Sequence, residues 1–292
     1  MQLEMFSAQE ISLAKPLKHQ LLKWVGNKQR FAHEIIAHFP PRFGRYFEPF
    51  LGTGAVLATL GLPSSFGSDL SKPLIEIWQA LSSSPDLLKT WYRERWQKVA
   101  EGDKVKGYET VKEAYNSNPN GADLLFLCRC CYGGVVRFRR EDGYMSTPCG
   151  VHDPISPASF NARVDEWHER VKDSSFACMD YREAMRLTEL GDLVYCDPPY
   201  LHSQAILYRA QDFSLADLFE AISECKSHGV FVALSIDGTK KSGKDSCVLP
   251  IPQGLFVREV FVNCGRSMLR RFQMNGRTLE RECVADRLLL TY

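Results

Sequence analysis

The stretch LVYCDPPY, residues 193–200, decides how the rest of the sequence is interpreted. Its first four residues predict a buried strand, and Asp197 follows where that strand ends. Because proline fixes the backbone dihedral φ, Pro198 and Pro199 predict a rigid turn directly after the strand. Open α/β sheets bind their ligands outside the carboxyl ends of the strands, so this turn is a candidate site.

The residue types of this turn fit chemistry on a ring-conjugated amino group. The lone pair of such a nitrogen is delocalised into the ring, so the group needs acceptors that hold its hydrogens. The Asp197 carboxylate and the Pro198 carbonyl can supply two acceptors, and Tyr200 can stack on a base that has left its duplex. The alternative is a strand that ends in a rigid turn and has no further role.

On both sides of this stretch the sequence alternates between strand and helix patterns. This alternation predicts an α/β fold with a doubly wound, mostly parallel sheet and helices on both faces. The predicted strands are residues 45–50, 65–69, 176–180, 193–200, 230–236, 255–263 and 284–292, the last two forming a hairpin. The predicted helices in this part are a helix from residue 28 to 39 and those at 55–60, 72–81 and 214–227.

Two further candidate features lie at strand ends. FLGTG, residues 50–54, follows the first strand, and glycines in such a turn let the backbone approach a ligand. A plain tight turn gives the same pattern. Asp69 ends the second strand, where doubly wound folds place a ribose-binding carboxylate, although it could equally cap the helix that follows.

The composition is that of an ordinary globular protein. The chain has 292 residues, 45% of them hydrophobic, and a net charge of +1, so a nucleic-acid surface would have to come from local clustering. No apolar run reaches the roughly 20 residues that span a bilayer, and no secretory signal pattern is present. The ten cysteines therefore predict reduced thiols, and we expect a soluble protein of the cytoplasm.

Residues 82–172 interrupt the alternation and predict an inserted domain, so that residues 1–81 and 173–292 together form the main domain. Within the insert, residues 128–150 are rich in glycine, aromatic and basic residues, and Asp142-Gly143 predicts a hairpin turn. Arginine side chains bind both guanine edges and phosphates, which favours nucleic acid as a partner of this segment. A solvated basic surface is the alternative. The arginines concerned are Arg129, Arg137, Arg139 and Arg140.

Several motifs together resemble the Dam-type DNA adenine methyltransferases, also called the D12 class. KWVGNK, residues 23–28, is similar to the family's opening Lys-Trp-Ala-Gly-Gly-Lys, with Asn27 in place of the second glycine. EPFLGTG, residues 48–54, is similar to the family's Glu-Pro-Phe-x-Gly-x-Gly. The acidic motif at residues 68–70 and the Asp-Pro-Pro-Tyr at 197–200 follow in the family's order, and the resemblance extends through most of the chain.

This resemblance implies a Rossmann-like, S-adenosylmethionine-dependent fold and assigns roles to residues. The implied catalytic residues are Asp197, Pro198, Pro199 and Tyr200. The implied cofactor-binding residues are Trp24, Lys28, Phe50, Gly52, Gly54, Asp69, Asp180 and Asp197. The resemblance makes the insert a helical target-recognition domain, in which Arg137 is a base contact and Arg139 and Arg140 are phosphate contacts. Residues 128–134 depart from the family's pattern, so the recognised sequence is not implied.

The activity that the resemblance implies is methyl transfer from S-adenosylmethionine to N6 of a flipped adenine in double-stranded DNA, without a metal. A cognate restriction endonuclease is a possible partner, and no obligate protein partner or membrane is expected. N4-cytosine methylation is the nearest alternative, because the same acceptors can hold any ring-conjugated amino group. A DNA-binding module with an inactive cofactor pocket is a further alternative.

Three other patterns have a competing explanation. Cys128, Cys131, Cys149 and His152 have spacings similar to those of a zinc ribbon, but Cys131 falls on a family cysteine without a metal role. Residues 238–244 have the composition of a phosphate loop without its spacing, which favours a mobile loop near the substrate. Five arginines near the C-terminus could contact the DNA backbone or could belong to a surface hairpin with alternating charge. They are Arg266, Arg270, Arg271, Arg277 and Arg281.

Overall fold

A computed structural model describes residues 9–10, 15–24, 26–139, 141–199, 213–240, 245–246, 250–266 and 283–292. The strands are β1 (Gln9–Glu10), β2 (Arg42–Phe43), β3 (Tyr46–Glu48), β4 (Phe66–Asp69), β5 (Ser175–Cys178), β6 (Leu193–Cys196), β7 (Phe231–Lys240), β8 (Asp245–Ser246), β9 (Arg258–Arg266) and β10 (Cys283–Leu290). The helices are α1 (Ala32–Ile36), α2 (Ala55–Leu60), α3 (Lys72–Ser83), α4 (Pro85–Ala100), α5 (Lys104–Ser117), α6 (Gly121–Cys130), α7 (Pro157–Val171), α8 (Tyr181–Arg186) and α9 (Leu215–Ser227).

The main sheet has the strand order β5-β4-β3-β6-β7-β10-β9. The strands from β5 to β7 run parallel, and β10 lies antiparallel between β7 and β9. The chain moves outward from β3 through β4 to β5 and then returns to place β6 on the other side of β3. The predicted doubly wound, mostly parallel sheet is therefore confirmed, and the order reverses between β3 and β6, where such sheets form a ligand-binding crevice.

Both faces of the sheet are covered, as the apolar strands require. Successive side chains of a strand point to opposite faces, and β6 divides accordingly: Leu193 and Tyr195 belong to one hydrophobic cluster, Val194 and Cys196 to the other. The first cluster continues into α1, α2, α3 and the helices that follow. The second cluster is formed largely with α8 and α9.

Helices α4 to α7 connect β4 with β5, in the part of the chain predicted to be an insert. Helices α4, α6 and α7 pack against α3, and α5 packs against α4 and α6, in the same hydrophobic cluster as the sheet. Whether residues 82–172 make a domain of their own stays a prediction. Within the described part of the chain, no helix is both long and apolar enough to cross a membrane.

Side chains of these helices also fasten the segment that leads to Lys28. Arg163 of α7 donates to the carbonyl of Gln20 at 3.1 Å, and Trp167 donates to that of His19 at 2.8 Å. Arg170 donates to the carbonyl of Lys15 at 2.8 Å. The segment has no strand ladder of its own in residues 15–24, so these donors take the place of one.

Several predicted boundaries differ from the structure. The helix predicted from residue 28 to 39 is shorter, because α1 spans only Ala32–Ile36, and the strand predicted at 255–263 lies at Arg258–Arg266. Strand β3 ends at Glu48, because Pro49 has no N–H to continue the ladder. Strand β7 continues through Lys240, pairing with β8 and β10, so the loop predicted at 238–244 is wrong for its first three residues. Residues 241–244, together with Arg140, Tyr200, Arg270, Arg271, Arg277 and Arg281, lie outside the described residues, as does the side chain of Arg266.

Candidate functional site

A cavity of about 830 Å³ lies at the carboxyl edge of the sheet, at the strand-order reversal. It is lined by residues from β3, β4, the turn after β6, the segment before α1 and the helices between β4 and β5. The predicted site residues that line it are Trp24, Lys28, Phe50, Gly52, Asp69, Asp180, Asp197, Pro198 and Pro199. Residues that lie up to 175 positions apart in the chain are thus brought to one place, and Gly54 lies immediately beside them in the glycine turn.

Lys28 and Asp197 form an ion pair in this cavity. The Lys28 Nζ lies 2.9 Å from Oδ1 of Asp197 and 3.1 Å from Oδ2 of Asp286, which comes from β10. Burial lowers the pKa of Lys28, but the two carboxylates together raise it by more than burial lowers it. The pKa of Lys28 is therefore well above its ordinary value. The lysine is therefore an ammonium that keeps one oxygen of Asp197 engaged.

Glu48 is a second carboxyl group at the same point of the sheet, at the end of β3. Its Oε2 accepts from the Tyr46 hydroxyl and from the Leu57 N–H, both at 2.8 Å. Burial raises the pKa of Glu48, these two hydrogen bonds lower it, and the charge of Asp197 raises it, giving a pKa of about 8. Glu48 belongs to the EPFLGTG motif at residues 48–54 but was not among the predicted site residues.

Three hydrogen bonds fix the conformation of the glycine turn beside the cavity. The Leu51 N–H donates to the Ser68 carbonyl at 2.9 Å, and the Gly52 N–H donates to Oδ2 of Asp69 at 3.1 Å. From behind, the indole of Trp78 donates to the Gly52 carbonyl at 3.1 Å. Burial raises the pKa of Asp69, while its backbone hydrogen bonds lower it. Asp69 both lines the cavity and fixes the glycine turn. The N-cap of α3 is Ser71, so the alternative role of Asp69 as that helix cap is wrong, and ribose binding stays a prediction.

Substituting the two glycines with alanine is expected to separate stability from ligand binding. Both have positive φ, but a Cβ at Gly54 would lie 2.9 Å from the Trp78 ring, whereas a Cβ at Gly52 meets no atom within 4 Å. Gly54→Ala should cost about 2–5 kcal/mol of unfolding free energy and Gly52→Ala about 1–2 kcal/mol.

Gly52 lines the cavity, and the methyl group that Gly52→Ala adds would occupy open space there. Gly52→Ala should therefore be the variant that weakens ligand binding. Chemical denaturation measures the effect on stability, and calorimetric titration with S-adenosylmethionine, the ligand that the resemblance implies, measures the effect on binding. Equal losses of stability in both variants would contradict the role assigned to Trp78.

Aromatic rings form the far wall of the cavity. Phe50 stacks on Tyr181 with centroids 5.0 Å apart, and Phe213 meets Phe50 edge-on at 5.9 Å. Asp180 caps α8 by accepting from the Arg182 N–H at 2.9 Å, which fixes the start of the helix that carries Tyr181. Tyr181 and Phe213 were not among the predicted site residues. The position of Tyr181 directly after Asp180 could have indicated its place in the cavity.

The family model described as D12 class N6 adenine-specific DNA methyltransferase matches residues 24–247, well over half of the chain. This chain belongs to that family. The matched range includes Lys28, the glycine turn, Asp69 and Asp197, all of which line the cavity. The resemblance stated from the sequence is therefore confirmed.

Several DNA adenine methylases are similar to this chain over part of their length. The retron Ec67 DNA adenine methylase of Escherichia coli is 27% identical over 187 residues, 62% of this chain and 63% of that protein. The DNA adenine methylase of Serratia marcescens is 29% identical over 206 residues, 67% of this chain and 73% of that protein. The DNA N-6-adenine-methyltransferase of Escherichia phage P1 is 25% identical over 196 residues, 65% of this chain and 25% of that protein. The aligned part thus spans less than two thirds of the retron methylase and a quarter of the phage protein.

In this D12-class chain the segment after α6 forms the predicted hairpin. Phe138 pairs with Met145, and the Gly143 N–H donates to the Arg139 carbonyl at 3.0 Å around the Asp142-Gly143 turn. The hairpin lines the cavity with Phe138 and Tyr144, among others. Arg137 is exposed on it, and the Arg139 guanidinium lies 4.3 Å from the centre of the Tyr144 ring.

Arg129 does not lie on this surface, which corrects its proposed place among DNA contacts. Its side chain is buried and donates to the carbonyl of Gln20 at 3.0 Å and to that of Leu21. The guanidinium also lies 5.5 Å from the centre of the Phe160 ring. Arg129 therefore helps to fasten the segment that leads to Trp24 and Lys28, and the sequence could not distinguish this from a surface role.

The cysteines of the insert are mostly buried. Burial raises the pKa of Cys128 to about 11 and also raises the pKa of Cys131, so these thiols are protonated at neutral pH. Zinc binds the thiolate form. Among the described residues, no group of three or more His, Cys, Asp or Glu side chains could hold a metal ion.

Proposed function

We propose that this chain transfers a methyl group from S-adenosylmethionine to N6 of adenine in double-stranded DNA. The observation that carries the proposal is the Asp197 carboxylate, which lines the cavity of a D12-class chain at the strand-order reversal and has one oxygen engaged by Lys28. This ionised carboxylate is an acceptor of the kind that the chemistry of an exocyclic amino group needs.

The cavity fits S-adenosylmethionine in size and in chemistry. Its volume of about 830 Å³ is within the usual range for ligand pockets, which runs to about 1,000 Å³. The open space at Gly52 admits a ligand against the backbone. Asp69 suits ribose hydroxyls, and Phe50 and Tyr181 present an aromatic wall suited to a purine ring. When bound, the cofactor supplies an electrophilic methyl group on a sulfonium.

The residues of the chain would act by positioning the target amino group. The Asp197 carboxylate and the Pro198 carbonyl accept hydrogen bonds from the two amino hydrogens, which orients the nitrogen lone pair out of the ring plane. Lys28 keeps the Asp197 carboxylate ionised and fixed in orientation. We expect the base to enter the cavity after leaving the duplex stack, and the amino proton to be lost to solvent after transfer.

The hairpin at residues 137–145 is the proposed DNA-contacting element of this site. Replacing exposed Arg137 with alanine is expected to weaken duplex binding about tenfold or more and to reduce its salt dependence. Arg129→Ala should instead lower the free energy of unfolding by about 3 kcal/mol, because buried carbonyls lose a charged donor.

Fluorescence anisotropy with labelled duplex and chemical denaturation of both variants measure this contrast. A normal duplex affinity in Arg137→Ala would contradict the contact proposed for that arginine, and an unchanged stability in Arg129→Ala would contradict the role assigned to the buried one.

The proposal is tested by expressing the chain in a methylation-deficient bacterial host and mapping modified bases in the genomic DNA. N6-methyladenine in one short sequence, absent with Asp197→Ala, is the expected result. N4-methylcytosine in its place would move the substrate to cytosine, since the same acceptors can hold that amino group. Genomic DNA without modification, from cells that contain the folded protein, would reject DNA as the substrate.

A further inference from the structure

The hairpin at residues 137–145 has backbone groups that its own two strands do not pair. Phe138 and Met145 lie opposite each other in it. The interstrand hydrogen bonds that flank this pair, both 2.9 Å long, run from Arg139 to Tyr144 and from Ser146 to Arg137. Phe138 and Met145 are therefore a non-hydrogen-bonded pair, in which the N–H and C=O of each residue point away from the other strand. Because Met145 is completely buried, its N–H and C=O need partners elsewhere in the protein.

Asn116, in the last turn of α5, supplies both partners. Its Oδ1 accepts from the Met145 N–H at 2.6 Å, and its Nδ2 donates to the Met145 carbonyl at 3.2 Å. A side-chain amide carries an acceptor and a donor side by side, so it pairs with the backbone of Met145 as a peptide group of a third strand would. Asn116 thereby fixes this strand of the hairpin to α5.

Asn116 also lines the cavity, together with Tyr115 of the same helix and Phe138 of the hairpin. The rings of Tyr115 and Phe138 have centroids 6.4 Å apart. Helix α5 and the hairpin thus form a continuous wall of the cavity. The same hairpin exposes Arg137, the proposed DNA contact, so the way in which the hairpin is held determines where bound DNA lies relative to Asp197.

We propose that Asn116 is a positioning residue for sequence discrimination, which holds the hairpin so that a duplex bound in the correct register presents its target base to the cavity. This inference rests on the proposed function. Without the Asn116 amide, two buried backbone groups of Met145 lose their partners, and the hairpin can move relative to the cavity. A displacement of about 1 Å can cost on the order of 100-fold in rate. Correct and incorrect sequences then react at more similar rates, because the advantage of the correct one depends on this geometry.

Other contacts should keep the hairpin folded when Asn116 is replaced. The Tyr108 hydroxyl, also from α5, donates to the Thr147 carbonyl at 2.9 Å. The Thr147 hydroxyl accepts from the Arg137 N–H at 2.9 Å and donates to the Val135 carbonyl at 2.8 Å. These hydrogen bonds fasten the base of the hairpin, so the loss of Asn116 should displace the hairpin rather than unfold it.

The test compares kcat/KM of Asn116→Ala on two duplexes. One contains the sequence found to be methylated in genomic DNA, and the other differs from it by one base pair. We expect the ratio of the two values to fall on the order of 10-fold, mainly through a lower kcat on the correct duplex. The Kd of S-adenosylmethionine should stay within about twofold of the parental value. A purely structural role would not change the ratio, because a smaller folded fraction lowers both rates equally.

Two further variants make the test specific. Asn116→Asp has the same shape and keeps the acceptor for the Met145 N–H, but it has no donor for the carbonyl, so its ratio should also fall. Asn120→Ala is the matched control. Asn120 caps α6 by accepting from the Asp123 N–H at 2.9 Å, and its amide nitrogen donates to Asn118 and Asp123. This variant should lose stability and keep the parental ratio.

Hydrogen exchange of the Met145 amide, measured by mass spectrometry on the protein alone, is independent of activity. We expect exchange on the order of 10-fold faster in Asn116→Ala and parental exchange in Asn120→Ala. A parental ratio or parental exchange in Asn116→Ala overturns the inference, as does an equal fall of the ratio in Asn120→Ala. If Asn116→Ala does not fold, the same measurements on Asn116→Asp decide. If the parental protein does not methylate adenine, the proposed function fails, and the exchange still shows whether Asn116 holds the hairpin.

Discussion

Replacing Asp197 with asparagine is expected to lower kcat for methyl transfer on the order of 1,000-fold, with the fold and duplex binding retained. The reason lies in the contact with Lys28, whose Nζ is 2.9 Å from Oδ1 of Asp197. The ammonium requires an acceptor, so the single amide oxygen of the variant would turn toward Lys28. The amide nitrogen, a donor, would then face the amino group of the substrate, which is also a donor.

Steady-state kinetics on unmethylated duplex, with calorimetric titration of S-adenosylmethionine, measure this effect. Asp286 still contacts Lys28 in the Asp197→Asn protein, so a collapse of the site is not expected. Asp192→Asn serves as the control, because Asp192 is a buried carboxylate at the opposite end of β6 from Asp197. Retention of more than about a tenth of the parental kcat would show that Asp197 does not supply the essential acceptor.

The second large effect concerns the pH dependence of stability through Glu48. Burial raises the pKa of Glu48 from its ordinary value of 4.5 to about 8, so the folded protein retains a proton that the unfolded chain releases. The stability that this group contributes is complete below about pH 4.5 and is lost as the pH rises to about 8. The loss in the free energy of unfolding is on the order of 5 kcal/mol.

Glu48→Gln should remove this pH dependence and be more stable than the parental protein at pH 9. Glutamine keeps an oxygen that accepts from Tyr46 and Leu57 and has no proton to lose. Glu48→Ala is the matched control, because it leaves both donors without their acceptor and should be less stable at every pH. Urea unfolding between pH 5 and pH 9 measures all three proteins, and parallel curves for the parental protein and Glu48→Gln would contradict the raised pKa.

Much of the fold and part of the site could be predicted because the decisive signals are local. Each of the segments at residues 46–54, 66–71 and 193–199 is a strand followed directly by its turn, and the structure confirms the strands and their parallel order. Residues placed after parallel strands meet at one edge of the sheet, so the sequence predicted that Phe50, Asp69 and Asp197 would be neighbours.

What could not be predicted depends on contacts between distant parts of the chain. Asp286 is a single acid in β10, and no spacing rule connects it with Lys28, more than 250 positions earlier. Arg129 is an arginine in a basic segment, which is typical of a surface contact. Its burial follows only from the packing of α6 against residues 20–21. The pKa of Glu48 depends on how completely β3 and α2 exclude water, which no residue pattern reports.

The most direct test of the account uses purified protein, S-adenosylmethionine labelled with tritium in the methyl group, and unmethylated duplex DNA. The DNA is digested to nucleosides after the reaction, and the labelled nucleoside is identified by chromatography. The account predicts label in N6-methyldeoxyadenosine with the parental protein and almost none with Asp197→Asn. Label in any other nucleoside, or equal labelling of adenine by the two proteins, would contradict it.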